Sequence, residues 1–218
     1  MKQSALKLAI SSDTFSAHLA GLLALQRAEE PDVPVVLRSA PSPELLQGLE
    51  DGCYDAGLML ATEEAPASSH LQLWRDELAV AVPARSHLLA HALIPLEALA
   101  ANSVVRWCPH TCGTLSRWTD ALIGSDAARP VDDVRVTCFE WMATLVAAGY
   151  GVGIAPRSRI LQARDWGVVM RPIADGPYPI TTLLHLAPES APAVERFATR
   201  AQKIAERQTD RPLLHIAQ

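Results

Sequence analysis

The chain has 218 residues, 49% of them hydrophobic and 20% charged, and a net charge of −5. That composition supports a sizeable buried core and excludes global disorder. The acidic balance and the lack of any Lys/Arg run exclude a basic nucleic-acid face, and no apolar stretch is long enough to span a bilayer. The start, Met1-Lys2-Gln3-Ser4, carries no signal-peptide pattern, and Cys53, Cys108, Cys112 and Cys138 have no disulfide-framework spacing. A reducing, cytoplasmic setting is expected.

Residues 6–10 are a short apolar strand, followed by Ser11-Ser12-Asp13-Thr14, any of which suits a helix cap. The period of Phe15, Leu19, Leu22, Leu23 and Leu25 predicts a helix over 15–30, stopped at Pro31-Asp32. A strand over 33–38, a helix over 43–50 and a strand over 54–60 complete a β-α-β-α-β run, so a parallel sheet with right-handed crossovers is expected. Residues 61–69 read as a loop, and 71–83 as a strand broken at Trp74-Arg75-Asp76. A helix over 95–101, a strand over 104–107, the loop Cys108-Pro109-His110-Thr111-Cys112-Gly113 and a helix over 114–123 follow. Then come a strand over 134–138 and a helix over 140–148.

That helix runs into Val146-Ala147-Ala148-Gly149-Tyr150-Gly151-Val152-Gly153-Ile154-Ala155-Pro156. Gly149 fits a left-handed stop and Gly151 and Gly153 a close backbone approach; Val152, Ile154 and Ala155 fit a parallel strand covered on both faces, and Pro156 fits the first position of the next helix. A helix over 157–164, a strand over 168–170, the breaker Gly176-Pro177-Tyr178-Pro179, a strand over 180–186 and a helix over 193–207 close the chain. The two βαβ clusters predict an α/β fold of two Rossmann-like lobes, with crossings near Pro83 and Pro177.

These pieces, in this order, carry a resemblance. Leu6 to Ile10 with its Ser/Thr turn, Glu30-Pro31-Asp32-Val33, Leu49-Glu50-Asp51-Gly52, Tyr54-Asp55-Ala56-Gly57-Leu58, the run from Leu73 to Pro83, Ser86-His87-Leu88-Leu89-Ala90 and the glycine motif resemble the effector-binding domain of LysR-type transcriptional regulators. The resemblance covers nearly the whole chain. It departs at His87-Leu88, where the family has His-Pro, and in the absence of the N-terminal helix-turn-helix. It implies a type 2 periplasmic-binding-protein fold, with lobe I over 1–82 and 179–218, lobe II over 83–178, and a small-molecule cleft between them. It also implies a non-enzymatic homodimer, or a tetramer in a full-length protein, that reaches DNA only through the missing domain and has no membrane contact.

Strand ends are where α/β sheets bind ligands. The first candidate is therefore Ser11, Ser12, Asp13 and Thr14, where a helix start would favour an anion and Asp13 would favour an amine or hydroxyl. The second is Trp107, Cys108, His110 and Thr111, with Arg106 or Arg117 as possible anion partners. The third is Thr137, Cys138, Phe139 and Glu140, and Ala61 and Thr62 complete the rim. In an extended loop Cys108, His110 and Cys112 would share a side, as a soft metal requires. A fourth ligand is not evident, so neither a metal nor a cofactor is expected. Two alternatives stand beside the regulator: a stand-alone solute-binding protein, and a thiol-based redox sensor or enzyme using Cys108 and Cys112. One branch of the resembled family senses peroxide with cysteines in this region. Small outward residues of the first helix, Ala17, Ala20, Gly21, Ala24 and Ala28, suit a dimer contact.

Overall fold

The computed structural model describes residues 5–14, 16–61, 70–124 and 130–209. Two compact units emerge, one drawn from residues 1–60, 64–74 and 181–218, the other from 61–63 and 75–180.

In the first unit, β1 (Leu6–Ile10) lies between β2 (Val35–Ser39) and β3 (Ala56–Ala61). Both pairings are parallel, with Ile10 level with Ser39 on one side and with Leu58 on the other. Strand order continues from β3 to β9 (Pro179–Leu186) and β4 (His70–Pro83). Alternation along β1 sorts its apolar residues onto two cores, with Lys7 the one exposed position. Leu6, Leu8 and Ile10 enter a core with Leu19, Leu22, Leu184 and Phe197, while Ala9 faces Ala40, Leu45, Leu49 and Met59 on the other side. The first core is closed by α1 (Ala17–Glu29) and α7 (Pro192–Thr209), the second by α2 (Ser42–Glu50). Helices α1 and α7 also share ions: Arg200, itself buried, donates to Gln26, Glu29 and Glu30.

Helix α1 starts later than its apolar period implies. Its N-cap is Ser16, whose hydroxyl accepts from the Leu19 amide at 3.4 Å. The turn at 11–14 therefore caps nothing and is held by its own side chains. Phe15 and Thr62 lie outside the described residues.

In the second unit, β5 (Val104–Trp107) pairs in parallel with β6 (Pro130–Val136), and Val104 bridges Val152 in parallel on its other side. Helices α3 (Leu96–Ala100), α4 (Gly113–Ile123) and α5 (Phe139–Ala147) connect and flank these strands. The expected break at Trp74-Arg75-Asp76 is absent, since β4 runs through it. Residues 78–81 of β4 pair antiparallel with β7 (Gly153–Pro156), and 79–83 with β8 (Val168–Pro172). These ladders group residues 75–82 with the second unit by contact. The strand at 152–155, expected to be parallel, is mixed: Val152 bridges β5 in parallel and β7 lies antiparallel to β4. A single turn of tight helix at His87–Ala90 gave no sequence signal.

The glycine motif does what its residues allow. Gly149 has φ of 84°, and the Tyr150 amide reaches back to the Leu145 carbonyl at 3.1 Å, a helix stop of the Schellman kind. A Cβ on Gly151 would stand 2.4 Å from the Ser103 carbonyl oxygen. That same oxygen accepts from the Val152 amide at 2.9 Å, so only glycine lets the strand approach β5. Pro156 ends β7 and caps α6 (Arg157–Gln162), one residue before its expected place.

Candidate functional site

In each unit the loop after the central parallel strand carries polar side chains that the fold has buried. In the first unit this is the turn after β1. Ser11 is wholly buried and Thr14 nearly so. The Ser11 hydroxyl donates to Asp13 Oδ1 at 2.6 Å, and the Thr14 hydroxyl lies 2.5 Å from Ser11 Oγ and 3.4 Å from Asp13 Oδ1. Asp13 Oδ2 is sealed from solvent and has no hydrogen-bond partner. Burial pushes the Asp13 carboxyl above the usual carboxylate range, against the pull of Ser11, its own amide and Thr14. Ser12 lies beside Ser39, with 3.3 Å between their hydroxyls. Ser39 was missed in the sequence, although parallel register places it level with the end of β1. Ala61 is half-buried at the end of β3.

In the second unit the loop after β5 is not extended. The Cys112 amide donates to the Cys108 carbonyl at 2.9 Å, which folds the loop into a turn. Cys108, His110 and Cys112 therefore do not line one side, and among the described residues no three His, Cys, Asp or Glu side chains converge as a metal site. Cys112 is buried, its thiol donating to the Thr137 carbonyl at 3.4 Å. Cys108 is half-buried and His110 exposed. The hydroxyl and amide of Thr111, then the His110 amide and the positive charge of Arg135, hold the Cys108 thiol below its ordinary range despite some burial. Thr111 Oγ1 is sealed from solvent without a hydrogen bond of ordinary geometry.

Two expected contributors are committed elsewhere. Trp107 is fully buried and its indole N–H donates to the Ile154 carbonyl at 2.7 Å, so it fixes β5 against β7. Arg106 is buried, ion-paired with Asp120 and bonded to the Gly124 carbonyl at 3.1 Å, which leaves it no anion to seek. Arg117 is exposed.

The loop after β6 adjoins this turn, since the Cys108 amide donates to the Val136 carbonyl at 2.8 Å. Thr137 is exposed and Cys138 half-buried. Phe139 is largely buried under the Arg159 guanidinium, 4.7 Å from its ring centre, and Glu140 pairs with Arg159 at 2.6 Å. Arg159 is a contact that spacing alone did not reveal. A surface depression of about 560 Å³ is also confined to the second unit. It is lined by residues 83–87, Asn102, 147–149, Gly151, Val152 and Gly167, at the N-terminal ends of β5 and β7, opposite the ends that carry the buried polar groups.

The model of the LysR substrate binding domain matches residues 2–205. The chain belongs to this family. Solved structures agree with the fold of this LysR domain. The effector-binding domain of QuiR in complex with shikimate is 19% identical, covers 95% of this chain and 99% of its own, and gives a TM-score of 0.78. The BenM effector-binding domain with its effector benzoate is 17% identical, with coverages of 96% and 95% and a TM-score of 0.75. Reduced OxyR from N. meningitidis is 16% identical, with coverages of 92% and 95% and a TM-score of 0.75. The comparison with curated proteins finds no match. The LysR domain thus has the α/β fold of the periplasmic-binding-protein type, and among its described residues no helix is long and apolar enough to cross a membrane.

Proposed function

We propose that this LysR domain is a sensor without catalytic activity that binds a small-molecule effector at the strand ends and relays its presence through a homodimer to DNA-binding domains. The observation that carries the reading is the buried polar turn after each central strand: the Ser11-Asp13-Thr14 cluster after β1, with its sealed, unpartnered Asp13 Oδ2, and the Cys108-Thr111 turn after β5, whose sealed Thr111 hydroxyl acts on the Cys108 thiol. A fold that leaves such oxygens unsatisfied forgoes stability that a ligand can restore. In the first unit the candidate contacts are Ser12, Asp13 and Ala61. In the second unit they are Cys108, His110, Thr111, Thr137 and Cys138, and within each unit Ser11 and Thr14, or Phe139 and Glu140, hold their neighbours in place. The shikimate complex of QuiR and the benzoate complex of BenM support a ligand of this size.

The dimer contact is assigned to α1 and β2. Ala17, Ala20, Ala24 and Ala28 are exposed along α1, and Val36 and Leu37 are exposed on β2. Small residues let a partner helix approach, and the two β2 side chains give it apolar area to cover. Relay then follows from preferential binding to one arrangement of the dimer.

Thermal melting against a panel of small acids, amines, sugars and aromatics, together with sedimentation, tests the reading. At a hundredfold excess over its dissociation constant a true effector raises the midpoint by about 5–10 °C, and the domain sediments as a dimer. A strict monomer that no compound stabilises contradicts the proposal. The lowered Cys108 thiol supports a second reading, thiol-based sensing at that position. Peroxide that inactivates the wild type but not Cys108→Ser would select it.

A further inference from the structure

We propose that the turn after β1 selects a protonated amine, the ammonium of the effector donating to the Asp13 carboxylate. The inference rests on the reading of this turn as part of the effector site and fixes the chemical class that it takes.

A carboxylate ligand needs N–H or O–H groups that point at it and have no other acceptor. Ser11 has one hydroxyl proton, and it points at Asp13 Oδ1 at 2.6 Å. Thr14 has one, and among the described residues it faces Ser11 Oγ at 2.5 Å and Asp13 Oδ1 at 3.4 Å. The Ser11 amide is bonded to the Leu58 carbonyl at 2.9 Å and the Thr14 amide to the Ser11 carbonyl at 3.0 Å. The Asp13 amide acts on its own carboxyl. Helix α1 begins at Ala17, beyond the turn, and its Ser16 cap takes up the Leu19 amide. The buried hydroxyls of Ser11 and Thr14 thus converge on one carboxylate oxygen and leave nothing for an anion; the Ser12 hydroxyl lies apart from them, beside Ser39 at 3.3 Å.

What the turn offers is an acceptor. Asp13 Oδ2 is buried and unpartnered, although the residue as a whole is only half-buried. The groups acting on Asp13 are the two hydroxyls and its own amide, with no charged side chain among them. Two neutral hydroxyls on Oδ1 compensate its ionisation incompletely, which is why burial dominates its titration. A cationic donor at Oδ2 supplies the missing partner. A carboxylate brought to the same place would meet a like charge, with the Ser11 and Thr14 hydroxyls already turned to Asp13 Oδ1. The same geometry sets a sign: an ammonium binds the ionised carboxylate, so affinity falls as pH falls through the Asp13 pKa and a proton is released on binding.

The test is amide chemical-shift titration of the 218-residue chain with matched pairs: propylammonium and propionate, ethanolammonium and glycolate, benzylammonium and benzoate. The expected result is saturable movement of the residue 12–14 amides with at least one amine, weakened about tenfold to a hundredfold in Asp13→Asn. Asparagine keeps the size of the side chain. The fall in wild-type affinity on acidification checks the same point without a variant. If carboxylates move the turn and amines do not, the inference is overturned while the effector-site reading stands. If neither class moves the turn at any pH, both fall.

Discussion

Buried oxygens without partners mark the residues where this domain departs from a simple stable fold. Asp13 is the strongest, because a carboxyl raised by burial sits among hydroxyls already directed at its other oxygen. Thr111 is the second. Its sealed hydroxyl gains an acceptor when Cys108 ionises, which is why it heads the groups that hold the Cys108 thiol down. Thr111→Val therefore slows alkylation of Cys108 by iodoacetamide near neutral pH, read by mass spectrometry, with Cys138 as the internal control; an unchanged rate removes Thr111 from the account. Glycine is required at Gly151 for a different reason, a backbone oxygen 2.4 Å from where a Cβ would sit. Gly151→Ala is expected to cost about 2–4 kcal/mol in denaturant unfolding. Gly153→Ala meets the flexible Met142 thioether and should cost about 1–2 kcal/mol, because that side chain can move aside.

At the scale of elements, the ties between α1 and α7 and between β4 and β9 give the first unit its response to acid. Burial alone would raise the Glu30 carboxyl, but the hydrogen bond from Arg196 and the charge of Arg200 outweigh it and hold Glu30 below the usual range. A lowered carboxyl contributes stability above its unfolded pKa, about 4.3, and loses it as pH falls through the folded value. Arg200→Met removes the central cation and is expected to cost about 2–3 kcal/mol at neutral pH, with a flatter profile in acid. His185 on β9 lies 5.3 Å from His70 on β4, ring centre to ring centre, and its pKa is lowered by burial and then by His70. A lowered histidine costs stability as pH falls through the unfolded value, about 6.5, because the unfolded chain takes up the proton first. His185→Gln should therefore remove a decline in melting temperature between about pH 7 and 5 without altering the carboxylate decline below it.

At the scale of the whole molecule, the sequence was informative where local chemistry decides and silent where distant partners do. The order of strands and helices and the Gly149 stop follow from residues within a few positions of one another, and the spacing of Gly151 and Gly153 signals a close approach without naming its partner, Ser103. The start of α1, the continuity of β4 through Trp74-Arg75-Asp76 and the mixed pairing at 152–156 do not, because Ser16 competes with four other caps and the ladders are made by strands far along the chain. The site divides in the same way. The turn at 11–14 was legible as polar groups at a strand end, but the withdrawal of Trp107 and Arg106 into structural roles depended on Ile154 and Asp120, which spacing does not reveal. The central claim is that the effector is read by the loops at these strand ends. Amide-shift mapping with the compound that most stabilises the domain tests it most directly. The account predicts that the largest changes fall at residues 11–14, 108–112 and 137–140. Changes confined to residues 83–87 and 147–152, around the depression at the other end of the second unit, would contradict it.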